Sequence, residues 1–281
     1  MVEWLTEPLG YAFFLRGLAG GLLAALAGGA LSVFVVWRGL GFAGDALAHS
    51  ILPGVVLAYI FGFSLLLGAM VAALVAVLGI GLISQHGRLG EDTAIGVMFV
   101  GLFALGLVLM NRVASFQDLS HVLFGNVLGV SRPDLLGMAA VVALVLCALV
   151  LFRKELLVTS FDPAHAVAIG LNPGLVRYGL LAALALTTVV GVQAVGVVLV
   201  LALLITPAAA AAVLTKKLAP MLGLSVGIAV GSTVVGFYAS WYADIASGPA
   251  IVLVLTAAFG IAAILGRLAP MSISRSSPPP G

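Results

Sequence analysis

Charge is scarce in this sequence: of 281 residues only 12 are Lys or Arg and 10 are Asp or Glu, 8% in all, against about a quarter in an ordinary soluble domain. With 63% apolar residues and a mean hydropathy of +1.30, the chain cannot build a water-facing surface and reads as an integral membrane protein. A net charge of +2 offers no basic face for nucleic acid. There is one cysteine, Cys147, which excludes a disulfide framework or a thiolate metal cluster within one chain. Its place in the middle of an apolar run reads as a small core residue. The sequence also lacks a G-x-x-x-x-G-K-[ST] phosphate loop, so any ATP hydrolysis must belong to a partner. It lacks a basic n-region as well: Met1-Val-Glu3-Trp4-Leu-Thr-Glu7 is acidic and does not read as a cleaved signal peptide, so the first helix is expected to stay.

What fills the chain instead is a series of apolar runs, near 17 to 37, 41 to 62, 64 to 84, 93 to 111, 135 to 152, 177 to 193, 196 to 214, 218 to 240 and 249 to 266. Each is close to the roughly 20 residues that a membrane helix needs, and none shows the alternation of an outer-membrane barrel. The expected fold is all-α, a polytopic membrane helical bundle of nine spans. Eight is the alternative, since only Gly191, Gln193 and Gly196 punctuate 177 to 214. A transmembrane domain over 1–271 and a flexible tail over 272–281 follow from composition. Cytoplasmic loops carry the excess of Lys and Arg. An outside N-terminus and inside C-terminus put Arg38, Arg88, Arg153, Lys154, Arg177, Lys216, Lys217, Arg267 and Arg275 within, leaving Arg16, Arg112 and Arg132 outside.

Small residues recur every fourth position in the first span (Gly17, Gly21, Ala25, Gly29) and in the eighth (Gly223, Gly227, Gly231), and both stripes read as packing faces. The eighth contains Gly223-Leu-Ser225-Val-Gly227, a G-x-S-x-G pattern without the strand or neighbouring histidine that a nucleophile elbow requires. Residues 112 to 134 mix Arg112, Gln117, Asp118 and His121 with Phe116, Leu123 and Phe124, as an amphipathic outer piece would; Asp118 and His121 read as a solvated face before they read as ligands. On the inner side, Asp162 before Pro163 is a helix start and Gly170 a stop, so a short capped helix is expected to project there, with His165 exposed on it.

The stretch Asp45-Ala-Leu-Ala-His49-Ser-Ile-Leu-Pro53-Gly54 is different in kind. Positions four apart share a helix face about 5–6 Å apart at their Cβ atoms, so Asp45 and His49 can offer oxygen and nitrogen to one ligand. A start near Gly41 puts His49 roughly 12 Å along its helix, within or just inside the membrane boundary. There ionisable side chains are costly and mark function by default. Pro53 and Gly54 favour a kink just beyond. No glutamate is expected in any span, and the span interiors otherwise hold only Cys147 and tyrosines as ionisable groups. The plainer alternative is Asp45 as the N-cap of the second helix, with His49 hydrogen-bonded to it. An O/N pair suits Zn2+, Mn2+ or Fe2+. Two ligands are an incomplete site, which a symmetric dimer would complete.

These residues resemble the permease subunits of bacterial zinc and manganese ATP-binding-cassette importers, the ABC-3 family. The likeness is carried by Gly44 to Gly54, Leu123-Phe124-Gly125, Phe161-Asp162-Pro163-Ala-His165-Ala166-Val-Ala-Ile-Gly170, Gly196 to Ala210 with Thr206-Pro207, and Ser247-Gly248-Pro249. The resemblance implies a homodimeric permease in the bacterial inner membrane, with a fold similar to the vitamin B12 importer permease lacking its first helix. It also implies a metal path past Asp45 and His49, and a coupling helix (Phe161, Asp162, Pro163, Ala166, Gly170) seated on a cytoplasmic ATPase subunit. An extracytoplasmic metal-binding protein would deliver the ion. No cofactor is expected to be held permanently; Zn2+, Mn2+ or Fe2+ would be cargo. A chelate permease and a stand-alone secondary transporter are the competing readings. The second would need coupling residues on several helices or an inverted repeat, and a membrane-embedded metalloenzyme would need a third ligand and a base.

Overall fold

The computed structural model describes residues 6–85, 90–111 and 130–268, and among these there are helices and no strands. Among the described residues nine helical segments are long and apolar enough to cross a membrane. They are α1 (Ala12–Trp37), a broken second span made of α2 (Gly41–Ser50) and α3 (Leu52–Phe61), α4 (Leu65–Gln85), α5 (Glu91–Met110), α6 (Arg132–Leu151), α9 (Pro173–Val195), α10 (Val197–Leu214), α11 (Leu218–Ala243) and α12 (Ser247–Leu268). Between α6 and α9 lie two short helices, α7 (Arg153–Phe161) and α8 (Pro163–Ala168). The amphipathic segment with Asp118 and His121, the Leu123-Phe124-Gly125 stretch and the tail 272–281 lie outside the described residues.

The doubtful boundary resolves at Gly196, whose φ of 88° and ψ of 167° end α9. That backbone region is open essentially to glycine alone, so the residue separates two spans that hydropathy runs together. Gly196→Ala is expected to destabilise the bundle by about 1–3 kcal/mol, read as a lower thermal midpoint in detergent; an unchanged midpoint would contradict it. Two of the long helices have starts fixed by side chains. Ser131 and Asp134 form a reciprocal capping box on α6, and Asn172 accepts from the Leu175 N–H at 3.2 Å ahead of α9.

α1 is the central helix, packed against α6, α9, α10 and α11. Its small-residue stripe does make this contact: a Cβ on Gly21 would stand 2.8 Å from the Phe237 ring, and one on Gly29 2.9 Å from the Ala229 Cβ. The stripe expected on α11 does not. Gly223, Gly227 and Gly231 face open space, and the row turned to α1 holds Ser225, Ala229 and Thr233 instead. Ser225 of the G-x-S-x-G pattern is fully buried, donating to the Gly29 carbonyl at 2.6 Å and sharing a hydrogen bond with Ser32 at 2.8 Å. It fastens two helices together. Cys147 likewise departs from expectation, since it is exposed on α6. Both differences have one cause: a membrane helix is apolar all round, so apolar neighbours in sequence do not say which side turns inward.

The tightest seam lies between α3 and α4. A Cβ on Gly54 would fall 2.1 Å from the Gly68 carbonyl oxygen, and one on Gly68 2.3 Å from that of Gly54. Two backbones touch there with no side chain between them.

Candidate functional site

The niche is built by the broken second span. Leu40 is the N-cap of α2, so Asp45 lies a full turn inside the helix and is not its cap. Pro53 has no N–H to give the His49 carbonyl four residues back. That carbonyl is met by the Ile51 N–H, and the helix restarts at Leu52 with Pro53 in its first turn. The expected kink is thus present as a break, between His49 and the Gly54 seam.

Ala46, Leu47 and Ala48 are buried, while the side chains of His49 and Asp45 keep 30% and 36% of their surface on the open face. The imidazole Nδ1 lies 3.0 Å from the Asp45 main-chain oxygen and 3.6 Å from its carboxylate. A carbonyl only accepts, so the Nδ1–H donates and Nε2 carries the free lone pair. The ring packs edge-on against the Phe99 and Phe103 pair of α5, at centroid distances of 5.7 and 5.5 Å. Those two rings stack at 5.9 Å, and Phe42 closes the rim against Phe99 at 6.3 Å. The result is one fixed nitrogen donor and one carboxylate in an aromatic frame. Among the described residues no group of three His, Cys, Asp or Glu side chains could hold an ion. Phe99 and Phe103 were hidden to sequence reasoning by the apolar run around them.

A second polar layer was missed altogether. Glu91 stands in the first turn of α5, a span expected to hold no glutamate. It pairs with Arg177 of α9 at 3.1 Å, and Arg177 also donates to Ser84 of α4 at 2.9 Å, with the Tyr178 hydroxyl donating to the Gly81 carbonyl at 3.1 Å. Three spans are tied at one end of the bundle. Arg38, in the turn after α1, feels the same cluster: burial pulls its guanidinium below the ordinary value, Glu91 acts against that and Arg177 adds to it. The readable signal was the acidic Glu91-Asp92 pair, which suits a helix N-terminus.

The short capped helix forms as expected. Asp162 accepts from the His165 N–H at 2.8 Å, Pro163 opens α8 and Gly170, at φ 84°, stops it. The Leu171 N–H reaches back to the Ala166 carbonyl at 2.9 Å, a Schellman closure. Ala166 faces inward and is fully buried, whereas Phe161, Val167 and Ile169 are 69, 62 and 54% exposed. His165 is exposed too.

A bundle of membrane-length helices with a broken second span and a short capped helix between α7 and α9 is the architecture of a membrane permease. The chain belongs to the ABC 3 transport family, which it matches over residues 10–266. It is 40% identical over 268 residues to a probable iron transport system membrane protein of Haemophilus influenzae, covering 95% of this chain and 99% of that one. It is 43% identical over 260 residues to the manganese transport system membrane protein MntC of Listeria monocytogenes, covering 92% of each. Among solved structures, PsaBC from Streptococcus pneumoniae in complex with Fab superposes with a TM-score of 0.83 at 34% identity, over 93% of this chain and 94% of that one. An inward-facing putative metal-chelate type ABC transporter shares the fold, with a TM-score of 0.72 at 16% identity over 89% and 85%. The protein is a permease subunit of an ABC importer and is not itself the ATPase.

Proposed function

We propose that this permease admits a divalent transition-metal ion, manganese, iron or zinc, through the niche of Asp45 and His49, in the bacterial inner membrane with its N-terminus outside and C-terminus in the cytoplasm. The observation that carries the reading is the fixed imidazole of His49 beside the Asp45 carboxylate on an open face. Carboxylate oxygen and imidazole nitrogen suit these ions, and two ligands per chain hold an ion weakly enough to pass it on. A homodimer bringing two such pairs together completes a four-ligand shell. The manganese and iron named for the relatives fit the same donor set. An extracytoplasmic metal-binding protein delivers the ion, and the exposed apolar face of α8 seats on the cytoplasmic ATPase.

ATP-dependent uptake of Mn2+, Fe2+ and Zn2+ into liposomes holding the permease, its ATPase and the binding protein tests this. Accumulation of at least one free ion is expected. Uptake only when the ion is complexed would favour the chelate reading, which has its own support in a 37% identical relative named as the chelated iron transport system membrane protein YfeD of Yersinia pestis. For α8, Asp162→Ala removes the cap that orders the helix, worth about 0.5–2 kcal/mol. It is expected to weaken ATPase association in a pull-down while leaving metal binding alone; unchanged association and transport would remove α8 from that role.

A further inference from the structure

Arg38 does not touch the niche, yet it stands between the two working parts. It lies in the three-residue turn joining α1 to α2, and its guanidinium reaches across to the last turns of α7, the helix that leads into α8. Nε donates to the Ser160 hydroxyl at 2.8 Å. Nη2 donates to the Thr159 hydroxyl at 2.6 Å and to the Leu156 carbonyl at 3.3 Å. Next to it, the Trp37 ring meets Phe161 at 5.0 Å, edge to face.

The turn is stiff. The Arg38 N–H bonds to the Phe34 carbonyl at 3.0 Å, the Leu40 N–H to that of Val35 at 2.9 Å and the Ala43 N–H to that of Leu40 at 3.0 Å, while Gly39 takes the left-handed φ of 68° that lets the chain reverse. A push on α7 therefore reaches the first turn of α2 through a rigid corner, one turn before Asp45. All three of Arg38's partners here are neutral, so the contact can shift without abandoning an ion pair; among the described residues the carboxylate that acts on Arg38 is Glu91, through the field.

We propose that Arg38 is the positioning residue that links movement of the α7–α8 arm to the Asp45/His49 niche, so that ATP hydrolysis and ion passage stay in step. The inference rests on the functions proposed above for the niche and for α8. Coupling is carried by discrete packed and hydrogen-bonded groups joining elements that move, and Arg38 with Trp37 is such a group.

The test uses the full transporter in liposomes and reads ions imported per ATP hydrolysed, with Mn2+ as the probe. Arg38→Ala, and separately Thr159→Val combined with Ser160→Ala, are expected to lower that ratio about tenfold, with Mn2+ binding to the resting complex held within about twofold of wild type. Arg38→Lys keeps the charge but loses the forked geometry and is expected to fall between. A wild-type ratio in Arg38→Ala overturns the proposal. So does loss of Mn2+ binding alongside uptake, or failure of both variants to assemble, since either assigns the residue a purely structural role. If Arg38→Ala alone fails to assemble, the double variant, which retains Arg38, decides. Asp45→Ala and Asp162→Ala run alongside. If both lose transport while Arg38→Ala keeps the wild-type ratio, only the link falls; if Asp45→Ala transports at the wild-type rate, the niche falls and the link with it.

Discussion

Alanine at His49 or at Asp45 is expected to abolish ATP-driven metal uptake while the complex still assembles and hydrolyses ATP. The imidazole is held in place: its Nδ1–H is committed to the Asp45 carbonyl and its ring packs against Phe99 and Phe103. Nε2 is thereby presented in one orientation, and nothing else among the described residues replaces it. Removing a supporting partner of a metal ligand costs about 10–100-fold, and removing the ligand itself is expected to exceed that. In a homodimer each substitution deletes two ligands at once. Asp45→Asn keeps the shape and one oxygen donor but not the charge, so it should retain partial uptake. Initial rates with radioactive manganese measure the effect, and wild-type rates in either alanine variant would move the ion path elsewhere.

Gly54→Leu is expected to prevent stable assembly, because no rotamer relieves a Cβ placed 2.1 Å from a main-chain oxygen of Gly68. The α3 and α4 backbones would have to part, and with them the contact that holds the second half of the broken span. Overpacking a core commonly costs about 1–3 kcal/mol even where side chains can give way; here only backbone is available to move. Gly223→Ala is the control, since nothing beyond its own stretch of helix lies within 4 Å of an added Cβ, and replacing this mid-helix glycine is expected to be neutral or stabilising by up to about 1 kcal/mol. Size-exclusion profiles and thermal midpoints in detergent separate the two. A monodisperse Gly54→Leu protein with a wild-type midpoint would refute the seam.

Hydropathy located the apolar runs, because long apolar helices leave a clear trace, but it left the boundary between α9 and α10 open until the backbone at Gly196 resolved it. The capped helix was legible because Asp162, Pro163 and Gly170 act locally, through a side-chain acceptor, a fixed φ and a left-handed stop. The Asp45/His49 pair stood out because ionisable groups are so rare in this chain. Facing was not legible: Cys147 and the Gly223, Gly227 and Gly231 row were expected inside and lie outside. Nor was the Glu91–Arg177 pair, since an apolar window begins only where charge ends and so trims away the polar first turn of each helix. Arg38 and Thr159 are far apart in the chain, and no spacing rule joins them.

The interruption at Ile51 has a mechanical meaning. α3 is locked to α4 through Gly54 and Gly68 and also packs on α5, whereas α2, which carries Asp45 and His49, packs against α5, α9 and α10 and only lightly against α4. The two halves of the second span thus share α5 as a neighbour, but only α3 is pinned by a backbone-to-backbone seam. An unbroken helix would have to rupture its own ladder to let one half tilt, but here Pro53 removed that rung when the protein folded. Any bend of this span is thus directed to the turn beside Asp45 and His49, as a sheet folds along a crease already made.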